Sequence, residues 1–162
     1  MASDYFIKID GIDGQSDDKA HGKWIEVVSF THGSVQNVSV ARGADIGGRG
    51  QFLPFSFTHL VDKATPKLQQ FCMNGQKIAK AEFHVCRAVA GASTAVYEVK
   101  LENVKITRAI VSRPETQPDG PVEPLETVDL VAGKITWKVT PIKADNTKDG
   151  AIEASFDQVT NS

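Results

Sequence analysis

The chain has 162 residues, of which 41% are hydrophobic and 23% charged, with a formal net charge of −2. This is the make-up of one globular domain that can bury a core without help from a disulfide or a metal. A pI near 6.1 argues against a nucleic-acid or anionic-membrane binder, and no apolar run is long enough to cross a bilayer.

Met1 to Tyr5 has neither a basic region nor an apolar core, so no secretory signal peptide is expected. Residues 5–9 alternate as a short strand. Asp10 to Asp18 is a polar loop punctuated by Gly11 and Gly14. Its aspartates resemble a calcium loop but lack the EF-hand glycine and the closing Glu. Trp24 to Thr31 reads as a second strand with apolar residues on both faces, hence covered on both sides. Val35 to Ala41 continues as strand. Arg42 to Gly50 holds four glycines in nine residues and breaks all periodicity, so it reads as a long flexible interaction arm. It lacks the Gly-Lys-Ser/Thr ending of a phosphate loop.

Phe55 to Leu60 alternates again, and then the period changes. Thr65-Pro66 starts a helix, Leu68, Phe71 and Cys72 form one apolar stripe, and Asn74-Gly75 stops it. Ala79 to Val89 is a strand. Ala95 to Val111 is a long strand whose apolar phase slips between Leu101 and Val104, which predicts a β-bulge or a sharp bend near Glu102-Asn103. Arg113 to Pro124 holds four of the seven prolines and reads as a surface loop. Two strands follow around Ala132-Gly133-Lys134, then a polar loop over 143–150 and a last short strand through Ile152, Ala154 and Phe156. The whole is all-β, a β-barrel or two-sheet antiparallel sandwich, with one principal short helix at about 65–74.

Motifs that carry chemistry are sparse. His21, His32, His59 and His84 stand in no Cys-x-x-Cys or His-Glu-x-x-His setting, and no Gly-x-Ser-x-Gly elbow occurs. No catalytic residue, metal ligand or cofactor is assigned. His84 and Cys86 share a strand face but lack further ligands at zinc spacing. Cys72 and Cys86 read as small buried thiols, and a disulfide between them is left open. Small polar residues, Ser29, Thr31, Ser34 and Ser39, cluster on strands between apolar ones. They face either solvent or a neighbouring subunit or channel.

Several stretches together resemble the haemolysin-coregulated protein (Hcp) family, the inner-tube subunit of bacterial type VI secretion systems. They are Phe6-Ile7-Lys8-Ile9 with Ile12-Asp13-Gly14 and Ser16, then His21 with Ile25 and Val27. The most specific runs from Ser56 to Leu68 through Asp62-Lys63-Ala64-Thr65-Pro66, with Cys72 and Gly75 after it, and Lys143 to Gly150 completes the set. The resemblance implies a single domain over 1–162 with no fused effector domain. It implies a homo-hexameric ring that stacks into a tube, and partners in a spike tip protein, a contractile sheath and effector proteins. It also implies passage from the bacterial cytoplasm through the machine without a signal peptide, and a helix that helps lock one subunit against the next. On this reading Arg42, Asp45 and Arg49 are expected to serve ring stacking, and Ser29 and Thr31 to face the lumen as weak cargo contacts. A monomeric β-sandwich ligand-binding module is the alternative.

Overall fold

The computed structural model describes residues 3–41, 44–113, 119 and 123–162. The strands are β1 (Ser3–Ile9), β2 (Ile25–Val27), β3 (Ser29–Thr31), β4 (Ser34–Ala41), β5 (Ala44–Phe52), β6 (Phe55–Leu60), β7 (Ile78–Val89), β8 (Ala92–Ser112), β9 (Leu125–Val139) and β10 (Ile152–Asp157); the helix α1 spans Thr65–Asn74. Eight strands form one antiparallel sheet in the order β2-β1-β7-β8-β9-β6-β3, with β10 added to β9. The two ends of that order are neighbours in sequence. β2 pairs with β1 and β3 pairs with β6, and between them the Val28 N–H donates to the Thr58 carbonyl at 2.7 Å. The sheet thus curls into a nearly closed barrel, which leaves few backbone groups unpaired at an edge. Side chains of alternating phase, Ile7, Phe55, Phe57, Phe83, Val99 and Leu130 among them, fill its interior.

The Trp24–Thr31 stretch corrects the expectation of a strand covered on both sides. Ile25 and Val27 are buried, Val28 is 54% exposed, and beyond it Phe30 packs against the core while Ser29 and Thr31 are exposed. The phase changes because the chain leaves one partner strand for another at Val28. A similar change of phase shapes the long strands. Leu101 and Val104 are both buried, and Asn103 between them takes φ +55°. On β9 the buried phase passes from Leu130 to Ile135 across Gly133, where a Cβ would lie 3.3 Å from the Asn103 side chain. Both strands turn together, so Glu102 still faces Lys134 and Val104 still faces Ala132. The bend expected at Asn103 is present without a register shift there; the shift lies further on, between Ile106 and Arg108. For the same reason β9 is one continuous strand, not two around a turn at Gly133.

The helix keeps its expected bounds, but its start is built differently. Thr65 does not cap it: Ala64 holds the cap position without a side-chain bond. Asp62 Oδ1 accepts from the Ala64 N–H at 2.8 Å, and Thr65 Oγ1 accepts from the Asp62 N–H at 3.2 Å, a local turn ahead of the helix. Gly75 ends it in the left-handed conformation, φ +65°. Leu68 is buried, with Phe71 and Cys72 packed against the core beside it. Neither cysteine is in a disulfide; Cys72 is half-buried and Cys86 buried.

One polar cluster ties the helix to the barrel. His59 and Glu126 are ladder partners on β6 and β9, both fully buried, with Nε2 and Oε1 2.8 Å apart. From α1, Gln69 Nε2 donates to the other oxygen of Glu126 at 2.7 Å and to the Ala109 carbonyl at 3.1 Å. Asp62 Oδ2 lies 3.6 Å from His59 Nδ1, too far for a good hydrogen bond, so it acts mainly through its charge. Burial alone would lower the His59 pKa, but Asp62 and Glu126 outweigh it and raise it to about 9.

The 10–24 connection folds back on itself just ahead of β2. The Gly14 N–H donates to Lys23 O at 2.7 Å and the Ser16 N–H to Trp24 O at 3.0 Å. A Cβ at Gly14 would stand 2.4 Å from Trp24 O. Gly14→Ala should therefore destabilise by about 1–3 kcal/mol, read as a lowered urea midpoint with an unchanged slope. An unchanged midpoint would show that the loop can lift without loss.

Candidate functional site

Three surfaces of the barrel merit comparison with the sequence expectations. The first is β3. Its two small hydroxyl residues, Ser29 and Thr31, share an exposed face while Phe30 points inward, tilted against Phe83 at 4.5 Å and edge-on to Tyr5 at 5.2 Å. The strand therefore presents short polar groups on a base fixed by aromatic packing. Such groups can make and release hydrogen bonds without large rotamer losses.

The second surface is the expected arm. It is not an irregular connection: β5 pairs with β4 from Ser34↔Phe52 to Ala41↔Ala44, with a register shift between Gln36 and Val38. Glycines carry no apolar alternation, but their backbones complete a ladder as well as any residue. Arg42 lies outside the described residues. Asp45 is a β5 residue opposite Val40. Arg49 turns back on its own chain, its Nη2 donating to Gln158 O at 2.7 Å. Nearby, Phe52 packs edge-on against Trp137 and Phe156, at 5.9 and 6.1 Å. The base of the hairpin is thus clasped to the turn after β10.

The third is a groove of about 720 Å³ between β1, β2, the 15–18 loop and residues 60–62. Asp4, Asp17, Asp18, Glu26, Asp62 and Glu123 line it, with no Lys or Arg among the described lining residues. Asp18 also caps a turn, accepting from the Ala20 and His21 N–H groups at 3.1 Å and approaching His21 Nδ1 at 2.8 Å. His21 in turn meets His84, with Nε2 2.9 Å from Nδ1, and Cys86 Sγ stands 3.8 Å from the same Nε2. Two nitrogens on one tetrahedral zinc stand about 3.3 Å apart, so the shorter spacing is that of a hydrogen bond. Among the described residues no three His, Cys, Asp or Glu side chains are grouped to hold a metal ion, and no helix is long and apolar enough to cross a membrane.

Two clusters thus escaped the sequence reading: His59–Glu126–Gln69 and Asp18–His21–His84. The first left a signal. His59 follows Phe55 and Phe57 on the core phase of β6, and Glu126 precedes Val128 and Leu130 on that of β9, so each strand carries one polar residue where an apolar one belongs. The second left none, because only the topology brings residues 21 and 84 together.

The comparisons agree with this geometry over nearly the whole chain. The family model described as "Type VI secretion system effector, Hcp" matches residues 6–139. Protein hcp1 of Pseudomonas aeruginosa is 32% identical over 152 residues, covering 93% of this chain and 91% of that protein. A solved structure of a type six secretion system protein superposes with a TM-score of 0.90 at 27% identity, covering 99% of each chain. Hcp1 from Salmonella typhimurium does so with a TM-score of 0.80 at 26% identity, covering 99% of this chain and 98% of the other. With the family model spanning residues 6–139 and a relative 32% identical over nearly the whole of both chains, the chain belongs to the Hcp family of type VI secretion proteins.

Proposed function

We propose that the chain is a structural subunit that performs no catalysis: it forms hexameric rings, the rings stack into the expelled inner tube, and effector proteins travel in the lumen. The observation that carries this reading is the agreement with Hcp relatives from end to end. The further partners are the spike tip protein and the contractile sheath. The subunit starts in the bacterial cytoplasm and leaves through the machine itself. Ser29 and Thr31 face the lumen and hold cargo weakly, a role supported by their exposure on one face of β3. The β4–β5 hairpin reaches the next ring, and Arg42 and Asp45 serve that joint through ion pairs. Arg49 serves it indirectly, through its bond to Gln158, by setting the angle at which the hairpin leaves the barrel.

Light scattering on the eluted protein tests the ring. The expected mass is six times 17.5 kDa, and annular particles should appear by electron microscopy. A strict monomer at high concentration would support the ligand-binding module instead. The double change Arg42→Glu and Arg49→Glu should leave the ring mass unchanged and reduce tube length; tubes of normal length would remove both residues from the stacking joint.

A further inference from the structure

The β4–β5 hairpin is a two-stranded sheet of its own, separate from the barrel. Two strands alone are marginal in water. Gly47, Gly48 and Gly50 on β5 add backbone freedom that folding must remove. Val35 and Val38 on β4 are exposed, so little burial steadies the pair. The hairpin meets the barrel at its base, where the Leu53 N–H donates to Gly33 O at 2.8 Å and Phe52 packs edge-on to Trp137 and Phe156.

A second support stands further along β5. The turn over residues 157–162 is closed on itself: the Asp157 N–H donates to Ser162 O at 2.8 Å, and the Ser162 N–H donates back to Asp157 O at 3.1 Å. Inside it, Asp157 Oδ1 accepts from the Val159 and Thr160 N–H groups at 2.8 and 3.3 Å. Asn161 takes φ +58°, a conformation that asparagine tolerates. This closed turn reaches in two directions through one residue. The Gln158 N–H donates to Gly133 O at 2.8 Å, at the bend of β9. Gln158 O accepts from Arg49 Nη2 at 2.7 Å, and Gln158 Nε2 reaches Gly50 O at 3.5 Å. The bonding to β5 is reciprocal, since each side's side chain meets the other's backbone, so lifting the hairpin breaks both bonds at once. We propose that the 157–162 turn is a strut that holds the β4–β5 hairpin against the barrel. Asp157 stiffens the turn, and Gln158 carries the support from the bend of β9 to β5. Both are positioning residues. Their effect on ring stacking rests on the reading of the hairpin given above; the strut itself does not.

Backbone amide exchange on the purified full chain, before any tube forms, reads the hairpin directly. Asp157→Ala removes the acceptor inside the turn, Asp157→Asn keeps one, and Arg49→Met removes the donor on β5. Asp157→Ala and Arg49→Met should each speed exchange over residues 35–38 and 48–52 by about tenfold. Phe83 and Val99, in the barrel, should keep their rates. Asp157→Asn should keep native protection. The Arg49→Met, Asp157→Ala double variant should exchange no faster than the faster single variant, because both changes act through one contact. Native hairpin protection in both single variants, an equal loss in the barrel, an Asp157→Asn protein as unprotected as Asp157→Ala, or multiplied effects in the double variant would each overturn the strut. Tube length is read separately. A loosened hairpin on tubes of normal length would remove the hairpin from the stacking joint and leave the strut in place.

Discussion

Replacing Glu126 by Ala is expected to destabilise the barrel by about 3–5 kcal/mol, the cost of leaving one partner of a buried ion pair without the other. The residue is fully buried and holds two elements at once: His59 of β6 through Oε1 and Gln69 of α1 through Oε2. Without it, the His59 cation keeps only the Asp62 charge at 3.6 Å. The double change His59→Leu with Glu126→Leu removes both charges and should come within about 1 kcal/mol of the native stability or exceed it. Equal losses in the single and double variants would show that volume, not charge, matters at this site. The pair also carries a pH signature. The His59 pKa rises from 6.5 to about 9 on folding, so the folded state holds this proton more tightly than the unfolded chain. Its contribution is fully present below about pH 6.5 and is lost as pH rises through about 9. Urea titrations should show stability falling between neutral pH and that value by on the order of 3 kcal/mol. The double leucine variant should lack the fall; a native stability that stays level over the range would remove the raised histidine from the account.

That pair illustrates what a sequence reading can and cannot reach. Strand periodicity located β1, β6, β7 and β8, since each buries alternate residues on one face. The change of period at Thr65 located α1 to its end at Asn74. The slip between Leu101 and Val104 located the bend at Asn103, where the backbone adopts positive φ. The same logic misread β9: a strand that changes its buried face at Gly133 mimics two strands around a turn. It misread β5 because Gly47, Gly48 and Gly50 hide a hydrogen-bonded strand from any test of side-chain period. Ser29 and Thr31 lie exposed on β3, in a stretch read as covered on both sides, and Arg49 proved to be engaged by Gln158, more than a hundred residues away. Contacts of that separation, like His21 with His84, follow from strand order and leave no local trace. The family was legible for a different reason: the Asp62–Pro66 passage combines a turn-forming Asp, a fixed-φ proline and the first helical residues in one short run.

Leu68→Asp should abolish the fold. Leu68 is fully buried where α1 meets the core, and the helix packs against β8. Leu68→Ala already removes packing worth about 2–5 kcal/mol. The aspartate adds an unpaired buried charge, and losses above about 4–5 kcal/mol approach the whole stability of a marginal domain, about 5–15 kcal/mol. Circular dichroism should show loss of the β signal, and no ring should form because no subunit is folded. Met73, on the same helix and 87% exposed, separates folding from assembly. On a solvent-facing position Met73→Asp should change stability by no more than about 0.5 kcal/mol. If the ring mass falls while the subunit melts normally, α1 is part of the subunit joint and its exposed methionine is covered by the neighbour. If the ring is intact, the helix serves the barrel alone, and the joint lies on the strands. A Leu68→Asp protein with a native melting curve would contradict the burial from which both expectations are drawn.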